Sequence, residues 1–161
     1  MDDEQFVAEA YDASYRRLVG QMSVLCGDLA TAEDVVQEAF VRALDHVRSF
    51  RATDNPEAWL SRVAINLQRS RWRRLRRYAG LQPRLVERPR AEGLSPESLD
   101  LKALVALLPE GQREVIVLHH LQDRPVHEVA TILGVSVGTV KSRLARARLA
   151  LAHALDEERH A

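Results

Sequence analysis

The sequence lacks several features that whole classes of protein require. Cys26 is its one cysteine, so no disulfide can form within the chain and nothing demands an oxidising compartment. No stretch approaches the roughly 18 apolar residues that a membrane-spanning helix needs. The acidic N-terminus also lacks the basic and then apolar segments of a signal peptide. We therefore predict a cytoplasmic protein.

Recognisable sites for bond chemistry are missing as well. The six histidines do not pair with cysteines or carboxylates at the spacing of metal ligands. The sequence contains no glycine-rich phosphate loop and no catalytic dyad. It therefore predicts no metal, no cofactor, no small-molecule substrate and no enzymatic activity.

Net charge is absent too, because 23 Lys and Arg residues balance 23 Asp and Glu residues. A neutral chain does not fit a protein that coats nucleic acid non-specifically. The two signs are nevertheless segregated, with acids gathered at 2–12 and 28–45 and bases in two later runs. Segregated charge predicts different partners for different faces of the molecule.

Apolar residues recur at helical spacing except between Gly80 and Glu97, where glycines and prolines interrupt every period. With 161 residues, of which 46% are hydrophobic, the chain is long enough for one ordinary domain or two small ones. We predict an all-α protein of two small helical domains, residues 1–79 and 98–161, joined by a flexible linker at 80–97.

Thr31 and Asp34 have the spacing of a capping box and are expected to open the second helix.

The most informative helix is predicted from Asn55 to Arg77. Asn55 can accept hydrogen bonds from the first free amides, and Pro56 stands where a missing N–H costs nothing. The spacing of the apolar residues predicts that one side of this helix is buried. The predicted stripe is Trp59, Leu60, Val63, Ala64 and Leu67.

The opposite side of this helix is basic, and no acid occurs between Arg62 and Arg77. Arginines on one face repel one another unless a polyanion or salt intervenes, which predicts a phosphate backbone as partner. Trp72 is either a packing residue or a platform on which a base stacks, and Asn66 is either a solvated side chain or a reader of a base edge. The basic face comprises Arg62, Asn66, Arg69, Trp72, Arg73 and Arg76.

The second predicted helix has a polar face opposite its apolar one. Such a face is either simply solvated or a docking surface for a protein. Its residues are Asp34, Gln37, Glu38, Val41 and Arg42.

A helix-turn-helix is predicted near the C-terminus from the spacing of Ala130, Gly134 and Val140, with Ser136 as the cap of its second helix. Helical hairpins also occur in purely protein-binding roles, but the absence of acids from 129 to 155 favours DNA. Arg148 projects close to the apolar stripe and is assigned to structure. The candidate DNA contacts are Thr139, Lys141, Ser142, Arg143, Ala145 and Arg146.

Four segments together resemble a bacterial sigma factor of the sigma-70 family, in its small extracytoplasmic-function (ECF) group. They are DVVQEAF at 34–40, SFR at 49–51, WLSRVAINL at 59–67 and LGVSVGTVKSRLARAR at 133–148. The resemblance implies a transcription initiation factor that binds core RNA polymerase and reads the -35 and -10 promoter elements. It also implies an anti-sigma factor as a probable partner.

The resemblance assigns roles to the predicted faces. The polar face of the second helix would dock on the coiled-coil clamp of the largest polymerase subunit. The loop Ser49 to Asn55, with Asn66, would receive a flipped base of the -10 non-template strand, while the arginines of the basic face hold its phosphates. Lys141, Ser142, Ala145 and Arg146 would enter the major groove at the -35 element.

The chain departs from the family pattern at two places. Pro125 stands where the family commonly has a serine cap, so the cap of the first helix of the helix-turn-helix is either weaker or supplied by Asp123. Ala145 occupies a position that is often aromatic, which bears on the -35 preference.

Two other functions compete with the initiation factor. A sigma-like decoy that sequesters an anti-sigma factor without binding DNA is expected to have lost the basic face, which this chain keeps. An ordinary dimeric helix-turn-helix repressor does not account for residues 34–77.

Overall fold

Every regular element among the described residues is a helix, which confirms the predicted all-α fold. The structure is a computed structural model that describes residues 1–79 and 99–161, so the predicted linker lies outside the described residues. The helices are α1 (Asp3–Cys26), α2 (Leu29–Asp45), α3 (Val47–Ala52), α4 (Pro56–Ala79), α5 (Leu99–Ala106), α6 (Glu110–Ile116), a π-helical segment (Val117–Leu121) that continues α6, α7 (Val126–Leu133) and α8 (Val137–His160).

These helices form two compact units. Among the described residues, the first unit contains 1–23 and 29–79, and the second contains 24–28 and 99–161. The first unit therefore holds the polar face of α2 and the basic face of α4. The second unit holds the helix-turn-helix, which α7 and α8 form.

The connection between α1 and α2 corrects one prediction. Gly27 has a φ of 86°, a left-handed conformation that ends α1 at Cys26. The chain re-enters a helix at Leu29, two residues before Thr31. The predicted capping role of Thr31 is therefore wrong, because the residue already lies inside the first turn of α2.

The core of the first unit centres on Phe50 of α3, whose side chain is fully buried. Its ring centroid lies 5.6 Å from that of Phe6 in α1 and 5.1 Å from that of Trp59 in α4. Aromatic pairs at these separations add to the free energy of apolar burial. One side chain therefore fastens three helices of this unit together.

The start of α4 agrees with the sequence. The side-chain oxygen of Asn55 accepts a hydrogen bond from the Ala58 N–H at 3.1 Å, and Pro56 is the first helical residue. Glu57, in the first turn, forms an ion pair with Arg17 and accepts a 3.1 Å hydrogen bond from the Ser14 hydroxyl. The basic helix is thus capped at its N-terminus and tied there to α1.

The buried side of α4 is rotated from the predicted stripe. Leu60 and Ala64 are buried as expected, but Trp59, Val63 and Leu67 are only partly buried. The remaining buried positions are Ser61, Ile65 and Gln68. Small and amide side chains fit close to the core here, so the apolar pattern misplaced the centre of the buried side, and three apolar residues remain near the surface.

We expect Asn55→Ala to destabilise the first unit by about 1 kcal/mol, because the substitution removes the acceptor for the Ala58 amide. Both tryptophans lie in α4, so urea unfolding followed by tryptophan fluorescence reports on this unit. Asn55→Asp keeps the acceptor and serves as the control. Equal losses of stability in the two variants would show that the cap contributes nothing.

Candidate nucleic-acid and protein interfaces

The basic face of α4 is formed as the sequence predicts. Arg62, Arg73 and Arg76 are exposed. Trp72 is partly buried, and the guanidinium carbon of Arg76 lies 5.6 Å from the centroid of its ring. This cation–π contact keeps the indole among the arginines. Arg69 is also partly buried and interacts with a neighbouring group.

Asn66 lies on the exposed side of α4 and makes no side-chain hydrogen bond to another described residue. Its amide therefore has both a donor and an acceptor available to a ligand. An exposed amide without a partner costs little free energy and is common at a protein surface. This one, however, lies beside the exposed arginines of α4.

The segment Ser49 to Asn55, predicted as a loop, belongs to helix α3 as far as Ala52 and is held by internal contacts. Phe50 is buried, and Arg51 donates hydrogen bonds to the carboxylate of Asp3 at 2.9 Å and to the backbone oxygen of Met1 at 3.1 Å. The Arg51 guanidinium also lies 5.0 Å from the centroid of the Phe6 ring. The arginine of the SFR segment thus holds the start of α1 against α3.

The five predicted docking residues of α2 are all exposed. Their internal contacts are exposed: Gln37 donates a 3.2 Å hydrogen bond to the Tyr15 hydroxyl, Asp34 lies 4.0 Å from Arg71, and Glu38 lies 3.6 Å from Arg42. Exposed ion pairs of this kind contribute only about 0–1 kcal/mol, so a partner protein can replace them at little cost. Val41 is 48% exposed, which gives the polar face an apolar centre.

The helix-turn-helix is confirmed at its diagnostic positions. Ala130 and Val140 are buried, and Gly134 has the left-handed φ of 68° that the turn requires. The hydroxyl oxygen of Ser136 accepts a 3.1 Å hydrogen bond from the Thr139 N–H and so caps α8. This local chemistry fixes how α8 leaves the turn.

The candidate reading residues of α8 are not equivalent. Thr139 is bonded to Ser136 through its hydroxyl at 2.9 Å, and Arg143 is partly buried with its side chain packed over the open face of Gly111 in α6. Arg148 lies 3.3 Å from His120, in agreement with its assignment to structure. The exposed candidates are Lys141, Ser142, Ala145 and Arg146.

Family models match both units. Residues 10–78 match the model for Sigma-70 region 2, and residues 98–151 match the model for Sigma-70, region 4. The ECF RNA polymerase sigma factor SigW of Bacillus subtilis (strain 168) is 32% identical in an alignment of 165 positions that covers 92% of this chain and 88% of SigW. The chain belongs to the ECF sigma factors.

Two further relatives agree. The ECF RNA polymerase sigma factor EcfG of Rhodopseudomonas palustris (strain TIE-1) is 34% identical, over 77% of this chain and 71% of EcfG. The sigma factor RpoE of Bartonella quintana, solved in complex with the anti-sigma factor NepR, has a TM-score of 0.79 at 27% identity, covering 92% of this chain and 96% of RpoE. The resemblance found in the sequence is therefore confirmed.

Sequence reasoning missed three buried charged residues of the second unit, Arg113, Glu114 and Arg124. Arg124 is only 6% exposed; its Nε donates to Gln122 at 2.7 Å, and its guanidinium lies 3.4 Å from the carboxylate of Glu128. The i,i+4 spacing of Arg124 and Glu128 was the available signal.

Pro125 precedes α7 without any side-chain cap, so the suggested capping role of Asp123 is wrong. The Arg124–Glu128 pair anchors this end of α7 instead.

Two absences concern the described residues alone. Within 1–79 and 99–161, no three His, Cys, Asp or Glu side chains come together in a way that would hold a metal ion. In the same ranges, no helix combines the length and the apolar character needed to cross a membrane.

Arg143 and Arg146 should differ in their effect on stability. Arg143→Ala removes apolar side-chain packing over Gly111, so we expect it to weaken the second unit by more than about 0.5 kcal/mol. Arg146→Ala removes an exposed side chain and should stay within that limit. Hydrogen exchange of the α6 amides in the full chain measures both effects, and equal protection in the two variants would contradict a packing role for Arg143.

Proposed function

We propose that this sigma factor docks on core RNA polymerase with α2, holds the melted -10 strand on α4 and reads the -35 duplex with α8. In this assignment residues 1–79 form the docking and melting domain, 80–97 the linker and 98–161 the -35 domain. The sigma factor thereby directs promoter-specific initiation of transcription in the cytoplasm, without itself catalysing a reaction. The observation that carries the proposal is the basic face of α4.

Single-stranded DNA fits that face better than duplex does. Exposed arginines supply phosphate contacts, and a partly exposed indole beside them supplies a stacking surface. Asn66 adds a donor and an acceptor for a base edge. Stacking needs an unpaired base, so this combination favours a melted strand.

Duplex reading is assigned to α8. Its four exposed candidates present one amino group, one hydroxyl, one methyl and one guanidinium along a single side of the helix. The major groove accepts a helix of this kind, and a guanidinium can bind two acceptors of a guanine edge. Arg146 is therefore the principal base reader, while Thr139 and Arg143 support the helix from its start and its flank.

An anti-sigma factor is the further partner that we propose. The structures of the relatives RpoE and CnrH were solved in complex with NepR and with the cytosolic domain of CnrY, respectively. The decoy function is not favoured, because a decoy has no need of exposed arginines on α4. Run-off transcription with added core polymerase tests the choice: promoter-specific transcripts are expected, and their absence with an intact complex of core and sigma factor would favour the decoy.

Charge reversal tests the docking face. Asp34→Lys combined with Glu38→Lys should weaken core polymerase binding at least tenfold with unchanged helix content, because both carboxylates are exposed and available to a basic partner. Glu157→Lys with Glu158→Lys in α8 makes the same change of net charge outside the face and is the control. If the first pair binds core as tightly as the control pair, the face is only solvated surface.

The two basic helices should respond differently to base sequence and to salt. Arg146→Ala should cost about 1–3 kcal/mol and relax the preference at one -35 position. Arg73→Ala should weaken all sequences alike and reduce the log–log salt slope by about 0.7, because it removes one phosphate contact to a single strand. Salt titrations of holoenzyme on matched and -35-mutated promoters separate the roles, and a sequence-neutral Arg146→Ala together with a sequence-selective Arg73→Ala would reverse them.

A further inference from the structure

A cavity of about 450 Å³ lies within the second unit, between α5, the π-helical segment and α8. Its volume falls in the range of about 300–1,000 Å³ that is typical of small-molecule sites. Of the described residues that line it, none belongs to the candidate DNA contacts or to the docking face of α2. The apolar wall consists of Val24, Leu101, Val105, Ile116, Leu121 and Leu151.

The polar part of the lining is entirely basic among the described residues. Lys102 of α5, His120 of the π-helical segment and Arg148 of α8 supply it from three different elements. The Arg148 guanidinium can only donate, so its 3.3 Å hydrogen bond ends on Nε2 of His120. Desolvation, His119 and Arg148 all lower the pKa of His120, which keeps its ring neutral and able to accept this bond. His120 therefore orients the guanidinium at the cavity without cancelling its charge.

The π-helical segment carries His120 and Leu121 to this cavity. Its wide turn is closed by a 3.0 Å hydrogen bond from the Gln122 N–H to the Val117 carbonyl. The preceding residue, His119, is used differently, because its Nδ1 donates to the backbone carbonyl of Arg124 at 2.7 Å. Isolated π turns are rare and are frequently found at functional sites. The irregular turn thus separates a histidine that supports the backbone from one that lines a space of ligand size.

We propose that this cavity binds a small apolar carboxylate, such as a free medium-chain fatty acid. Arg148 and Lys102 bind the carboxylate, and the chain lies along the apolar wall. A guanidinium matches a carboxylate through two parallel hydrogen bonds, and burial of the chain removes apolar surface from water.

Other ligand chemistries satisfy only part of this lining. A neutral apolar molecule leaves two cations beside it without a counter-charge. A phosphate alone supplies the charge but leaves the apolar wall unfilled. An esterified lipid has no carboxylate to offer, so the lining favours the free acid.

Calorimetric titration of the full chain with octanoate, below its micelle concentration, tests the site. Octanoate should saturate one site per chain, and 1-octanol should bind at least about tenfold more weakly because it lacks the charge-assisted hydrogen bonds. Arg148→Gln and Lys102→Gln should each weaken octanoate binding about tenfold and leave 1-octanol binding unchanged. Arg159→Gln is the matched control, because Arg159 is exposed on the same helix as Arg148 and does not line the cavity.

Leu101→Trp locates the bound molecule. Leu101 lines the cavity but is 53% exposed, so a larger ring fills the space from its open side and leaves the buried core in place. This variant should lose both ligands with unchanged helix content. Absence of saturable octanoate binding to the wild type, equal affinity for octanoate and 1-octanol, or full octanoate binding by Leu101→Trp would each overturn the proposal.

A protein occupant gives a different result. If octanoate does not bind, and Leu101→Trp loses core polymerase binding or abolishes a dimer that the wild type forms in sedimentation, the cavity belongs to a protein interface and the carboxylate site is overturned.

Discussion

One constraint on α4 governs the first unit: a single helix must be buried on one side and carry a row of arginines on the other. Leu60, Ala64 and Ile65 are within 2% of complete burial, while the arginines opposite them lack any acid neighbour along the helix. Repulsion along that row opposes helix formation unless other contacts hold the backbone. The Asn55 cap, the Glu57–Arg17 pair and the Phe50 cluster supply those contacts, all at the N-terminal end of the helix.

The second unit meets a different constraint, because in the proposed function it presents a helix to duplex DNA and needs no unpaired base. The geometry of the helix-turn-helix is fixed by its turn, where Gly134 takes a conformation that other residues adopt only with strain. Val140 then fills the space between two helices. A buried charged side chain also stabilises the packing of this unit. Arg113 is 5% exposed and donates a 2.9 Å hydrogen bond to the Ala106 carbonyl, and its burial lowers the pKa of the guanidinium. A buried guanidinium with a fixed acceptor restricts how α5 and α6 can pack.

Features governed by neighbouring residues could be predicted from the sequence, and features governed by distant partners could not. The caps at Asn55 and Ser136 and the glycine turn at Gly134 follow from short-range rules, and all three are confirmed. The buried side of α4 was misplaced because Ser61 and Gln68 are buried by helices that the α4 sequence does not describe. In the same way, nothing local indicates that Arg51 binds Asp3, 48 residues away, or that Arg143 packs over Gly111. Assignments of individual arginines to DNA are consequently the part of the site that sequence alone predicts least well.

The strengths of the internal contacts also rank the arginines as DNA ligands. Arg73 reaches Ser70 at 3.3 Å, and Arg71 reaches Asp34 only at 4.0 Å; both contacts involve side chains at or near the surface. Such contacts contribute about 1 kcal/mol or less, whereas a charge-assisted bond to a phosphate releases condensed counterions as well. Arg51 differs, since two hydrogen bonds and an aromatic ring hold its guanidinium. An α4 arginine therefore gives up its internal contact for a phosphate at a lower cost than Arg51 does, although all of these side chains carry the same charge.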